Sequence, residues 1–213
     1  MLVFLVSFPL SADRPRGGTC PADRDRSVTL NPLAQCGGTG HDAGVTAVER
    51  VEPPLTGGER ETLRDYLDFH RATLALKCEG LSDEQLRRRA MPPSSLSLLG
   101  LVRHMAEVER SWFRRVVDGE DVPLVWSDDG DFQAAHDATG GTREEAFTAW
   151  RREVELARRI ERSAPSLDVT GVDRTTGEAY SLRLVMLHLI QEYARHNGHA
   201  DLLREAIDGA VGV

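Results

Sequence analysis

Leu182, Val185, Leu189, Glu192, His196, His199, Leu203 and Ala206 recur at alternating spacings of three and four. That recurrence puts them on one face of a helix and predicts a long buried helix over residues 182–205. Three other stretches carry the same period. Residues 58–78 present Leu63, Tyr66, Leu67, His70 and Leu74 on one face, and residues 98–117 present Leu98, Leu101, Val102, Met105, Val108, Trp112 and Val116. A third stretch, from Thr142 to about residue 163, presents Phe147, Trp150, Val154, Ala157 and Ile160. Four long amphipathic helices in one chain predict an all-α protein, a four-helix bundle with long crossover connections.

The punctuation between the helices supports these boundaries. Gly80 stops the first, since glycine accepts the positive φ of a helix end. Ser82 to Gln85 and Thr142 to Glu145 each have the spacing of a capping box, and Ser181 can cap the last helix. Pro92-Pro93-Ser94-Ser95 is a rigid break, and Arg87, Arg88 and Arg89 make a small basic run whose default place is a solvated surface. Residues 118–141 form a long acidic connection, a type that is often functional. In it Trp126 and Phe132 can cover a pocket or pin the loop, and His136, among acidic and small residues, is expected to be exposed and to take no part in a site. Residues 165–180 carry turn chemistry at Gly171 and Thr176-Gly177 and suit an irregular crossover or a small hairpin.

Composition changes the picture mainly at the N-terminus. Residues 1–50 begin with the apolar MLVFLVSFPL and continue rich in Gly, Pro, Arg and Asp without a period. They are expected to be a disordered extension or the product of a start placed too far upstream, with the folded domain spanning 51–213. A signal peptide is the competing reading, although no basic residue precedes the apolar run. Export would allow Cys20 to pair with Cys36 and leave Cys78 odd. A net charge of −8 with scattered Lys and Arg argues against nucleic acid, which requires a basic face. No apolar run approaches the length of a membrane span, so the expected location is cytoplasmic. There is no Gly-rich phosphate loop, CxxC pair, nucleophile elbow or internal repeat.

The chemistry concentrates at the centre of the last helix. A carboxylate and two imidazoles interrupt an apolar seam, and burying even a neutral polar group without a partner costs roughly 2–7 kcal/mol. A metal ion would satisfy them. Glu192 and His196 are one turn apart, stacked about 6 Å along the axis, and can reach a common ion. His199 lies about 10 Å along from Glu192, so the three cannot close on one centre. A site therefore needs a further ligand from elsewhere in the chain. His104 points close to the apolar face of the second long helix, although a lone histidine there is more often a satisfied core residue. For His70 a hydrogen-bonded core or boundary place is expected.

LVRHMAEVERSWF (101–113) and EYARHNGHADLLRE (192–205) together resemble the DinB-like superfamily, which includes thiol-dependent S-transferases and the mycothiol-dependent maleylpyruvate isomerase. The likeness covers roughly residues 51–209. Through VEPP, PPSSLSLLGLVRHMAEVE and RHNGHADLLRE it is closest to an actinobacterial branch without an assigned activity. The resemblance implies a bundle of DinB-like type whose metal ligands fall on His104, Glu192 and His196. His199 replaces the Gln that many relatives carry, and it and Trp112 would stand behind the ligands or face the substrate; His188 with Glu192 is a weaker alternative pair. Three protein ligands with an open fourth position imply a divalent ion, zinc first, with nickel or iron also accepting this donor set. The implied co-substrates are a low-molecular-weight thiol, mycothiol or similar, and an electrophilic small molecule. The reaction would be sulfur transfer, or a reversible thiol addition that isomerises a double bond. A homodimer is compatible with this reading. The competing class is a non-catalytic metal-binding bundle that holds a ligand or partner, and an inert bundle with hydrogen-bonded buried histidines is the third.

Overall fold

The computed structural model describes residues 49–127 and 133–212. The expectations for residues 1–48, including the Cys20–Cys36 pair, and for Phe132 lie outside the described residues. Helix α1 spans Glu59–Lys77, a short α2 spans Asp83–Arg87, and α3 spans Leu98–Glu109. From α3 the chain runs on without a break into a π-helical segment, Arg110–Val117. A 3₁₀ turn at Ala134–His136 precedes α4, Arg143–Ser163, and α5 is Leu182–Asp208. Between α4 and α5, strands β1 (Thr170–Val172) and β2 (Ala179–Ser181) pair antiparallel, with Gly171 opposite Tyr180. The small hairpin is thus the form that residues 165–180 take.

The caps follow the sequence closely. Ser82 and Gln85 make both bonds of a capping box, and Ser181 accepts the Leu184 N–H at the start of α5. Thr142 forms only half of its box. Its hydroxyl accepts the Glu145 N–H at 3.2 Å, but the Glu145 carboxylate accepts the Trp126 indole N–H at 2.7 Å.

α1 packs along α5 and α3 along α4, and α3 also meets α5 across the bundle. The core is the leucine-rich set Leu67, Leu74, Leu98, Leu101, Met105, Leu182, Met186 and Leu189, each essentially without solvent contact. Some expected core positions lie nearer the surface: Tyr66 is 45% exposed, Ala206 is exposed, and Leu63, Val108, Trp112 and Ile160 are only partly buried.

Charge enters this interior more than an apolar period suggests. Arg71 of α1 makes a bidentate pair with the fully buried Glu109, at 2.8 and 2.7 Å. Tyr193 donates its hydroxyl proton to the same carboxylate at 2.8 Å and accepts the Trp150 indole N–H at 2.8 Å. Each polar group in this chain is matched, as burial demands. The result locks α1, the end of α3, α4 and α5 to one another beside Glu192.

Candidate metal centre

His104 stands in the middle of α3, and Glu192 and His196 stand one turn apart on α5, where the two helices face each other. One ligand atom from each of the three lies within 4.8 Å of the others. The Glu192 carboxylate oxygen Oε2 is 3.9 Å from His104 Nε2 and 3.5 Å from His196 Nε2. His196 is buried, while His104 and Glu192 keep a narrow opening to solvent. The α5 spacing is the one that the sequence predicts, and the third side chain that approaches the pair, His104, comes from the helix across the bundle.

The protonation states suit an ion. Hydrogen bonding to the His104 and His196 imidazoles, opposed by burial, holds the Glu192 carboxyl far below the usual carboxylate range. Burial lowers His196, so its ring is neutral at pH 7 and keeps a lone pair for ligation. With both imidazoles bound as neutral ligands, the one carboxylate would bring a divalent ion to a net charge of about +1. The donor set and its spacing therefore fit a divalent metal.

His199 supports this arrangement without joining it. Its Nδ1 is 3.3 Å from Nδ1 of His196, so one nitrogen donates and the other accepts. Trp112 is set back from the triad. Its ring lies 4.6 Å from that of His188 and meets Tyr180 edge-on at 5.2 Å, giving an aromatic wall one turn of α5 before Glu192. His188 packs in that wall and is lowered by burial. His70 is a boundary histidine as expected, with its carbonyl accepting the Asn197 side-chain N–H at 3.1 Å.

His136 is the correction. It is not exposed among acidic residues but stacks on His104, with centroids 4.4 Å apart and planes 23° apart, and its ring lies 6.1 Å from that of His196. Burial and the neighbouring imidazoles push its pKa down to about 3. The one trace of this placement in the sequence is Gly100, where an added Cβ would sit 2.5 Å from the His136 carbonyl oxygen. Local composition cannot reveal it, because the 3₁₀ turn reaches the site through contacts with a helix more than thirty residues earlier in the chain.

The mycothiol-S-transferase profile matches residues 62–209, from the first turn of α1 to the C-cap of α5, and takes in all three triad residues. The chain belongs to the mycothiol-S-transferase family. No curated protein in the comparison matches it. Membership gives this four-helix bundle its DinB-like type, and it implies mycothiol S-transferase activity with mycothiol and an electrophile as substrates. The His104–Glu192–His196 cluster, which could hold a metal ion, lies within the matched region. Among the described residues, no helix is long and apolar enough to cross a membrane.

Proposed function

We propose that the protein transfers a low-molecular-weight thiol, mycothiol first, to an electrophilic small molecule at a zinc centre held by His104, Glu192 and His196. The observation that carries this reading is the convergence of those three side chains from α3 and α5 inside the family-matched region. Three nitrogen and oxygen ligands with a fourth position open is the arrangement of catalytic rather than structural zinc. Nickel or iron would accept the same donors, and metal analysis of gently purified protein decides between them. When bound, the ion supplies the positive charge that favours a thiolate, the nucleophilic form, over a thiol near neutral pH.

The remaining work falls to the chain. Glu192 faces both imidazoles through one carboxylate oxygen and would offset part of the ion's charge. His199 fixes the tautomer of His196. Trp112, Tyr180 and His188 offer an apolar, aromatic wall where an electrophile can be held close to the sulfur, and proximity compensates for the nucleophilicity that a stabilised thiolate loses. With an alkyl halide the sulfur–carbon bond forms as the carbon–halide bond breaks, and the thiol proton passes to solvent. With an epoxide a ring carbon–oxygen bond breaks, and with a quinone a carbon–carbon π bond, and in both a proton returns to the product oxygen. Thiols stay reduced in the cytosol, so the reading carries a cytoplasmic location with it.

The test is a titration of cobalt-substituted protein with mycothiol, following sulfur–metal absorption and proton release. It is followed by thiol consumption against a panel of alkyl halides, epoxides and quinones. The native protein should bind about one ion per chain, with a new absorption band on adding thiol. His104→Ala and His196→Ala should each lose the ion, whereas His70→Ala should keep it. If no thiol perturbs the cobalt spectrum, the transferase reading fails and a metal-stabilised ligand-binding bundle replaces it.

A further inference from the structure

A metal-binding imidazole has to be held in its plane as well as in its place. The usual device is a hydrogen bond from the ring nitrogen that faces away from the ion. His196 has that device in His199. His104 does not. Among the described residues its Nδ1 has no hydrogen-bond partner, and its ring is bounded by other rings. His136 lies face to face with it at 4.4 Å, and His196 meets it edge-on at 4.8 Å.

Several of the fittings that bring His136 there belong to α3, around His104 itself. Glu107, one turn after His104, accepts the N–H groups of Trp126 and Ser127 at 2.6 and 2.8 Å and the Ser127 hydroxyl at 2.6 Å. The Ser127 hydroxyl oxygen in turn accepts the Ala135 N–H at 3.2 Å. Arg103 donates to the Asp137 carbonyl at 2.7 Å and lies over the Trp126 ring at 4.5 Å. Gly100, one turn before His104, is the floor on which the His136 carbonyl rests. One stretch of α3 therefore carries both a ligand and the contacts that seat a ring against it. His136 Nδ1 is buried without a partner, and a neutral ring protonated on Nε2 leaves only an acceptor lone pair there. The ring is engaged through its face.

We propose that His136 is the positioning residue of His104: the face of its ring fixes the plane of the His104 imidazole and so the direction of Nε2 toward the ion. The proposal rests on the reading of the triad as a metal centre. It makes the affinity of the site depend on the 3₁₀ turn as well as on the ligands.

Zinc affinity of the full chain, measured by competition with a chelating dye, tests it. His136→Ala should bind zinc about 10–100-fold more weakly, the range for loss of an outer-sphere partner. His136→Phe keeps a ring face without nitrogens and should bind close to the native affinity. In metal-free protein, the His104 ring-proton resonances should move downfield in His136→Ala, as the ring current is lost, and stay shifted in His136→Phe. Native affinity in a folded His136→Ala overturns the proposal alone. A His136→Phe as weak as His136→Ala overturns it too, because the nitrogen would then be what matters. A native protein that binds no zinc overturns both the metal reading and this one.

Discussion

At His196 the two ring nitrogens have separate duties. Nε2 faces Glu192 at 3.5 Å and Nδ1 faces His199 at 3.3 Å. If Nε2 is to offer a lone pair, the proton must sit on Nδ1, and His199 must then accept it through its own Nδ1 with its proton on Nε2. Two histidines three residues apart on one helix thus specify a tautomer that neither could specify alone. Removing the acceptor frees the His196 ring to rotate and lets the wrong nitrogen hold the proton. His199→Ala should therefore weaken zinc binding about 10–100-fold while leaving the fold intact. Chelator competition measures this, and native affinity in the variant would show that the contact has no part in ligation.

The element that departs most from its predicted form is the second long helix. Its first three turns are α-helical, and from Arg110 to Val117 the chain widens to π-helical pairing, closed by the Asp118 N–H on the Phe113 carbonyl at 2.9 Å. The wider turn rotates every later side chain. Phe113 and Arg114 therefore turn inward, the latter onto the buried Glu153, while Trp112 swings out to meet Tyr180 and His188. π segments recur at functional sites because they re-aim side chains in this way. The hairpin also closes tightly on this segment at Gly171. A Cβ on Gly171 would stand 1.9 Å from the Val116 carbonyl oxygen, a backbone atom that cannot step aside. Gly171→Ala should therefore displace β1 and destabilise the protein by about 1–3 kcal/mol, as overpacking does. Urea unfolding checks this; a change below about 0.5 kcal/mol, the scatter of ordinary surface substitutions, would mean that the hairpin is not held there.

Across the whole molecule, buried carboxylates tie one helix to the next. Glu161 of α4 receives Arg60 at 2.7 Å and Arg64 at 3.0 Å, both from α1, and Glu153 receives Arg110 at 2.7 Å and Arg114 at 3.2 Å. Burial alone would raise the Glu161 carboxyl, but the bonds from Arg64 and Arg60 outweigh it and leave the group below its ordinary value of 4.5. A carboxyl depressed in the folded state contributes stability that is complete above its unfolded pKa and is lost as pH falls through the folded one. The acid limb of stability, below about pH 4.5, should then carry a Glu161 component. Glu161→Gln should cost about 1–3 kcal/mol at neutral pH, and the cost should shrink toward pH 2. Thermal unfolding from pH 7 to pH 2 tests this, and a difference that stays constant across the range would refute it.

The four helices, their caps at Ser82 and Ser181, the hairpin and the Glu192–His196 pair all follow from local rules: an apolar period, a capping hydroxyl, a turn of helix. Each depends on residues close together in the chain, so each is legible in the sequence. The pairing of His104 with that α5 motif came from the resemblance, since periodicity alone left His104 as an ordinary core histidine. What only the tertiary structure decided are the contacts between distant segments. The Arg71–Glu109–Tyr193–Trp150 chain draws on four elements, and the charged residues in it read locally as surface positions. The π segment is chosen by what Phe113 and Arg114 meet across the bundle. His136 has a composition that predicts exposure, and it reaches His104 because Gly100, Arg103 and Glu107 hold its turn there. Helix propensity and period act over four residues, whereas burial and the matching of buried charge act over the whole fold.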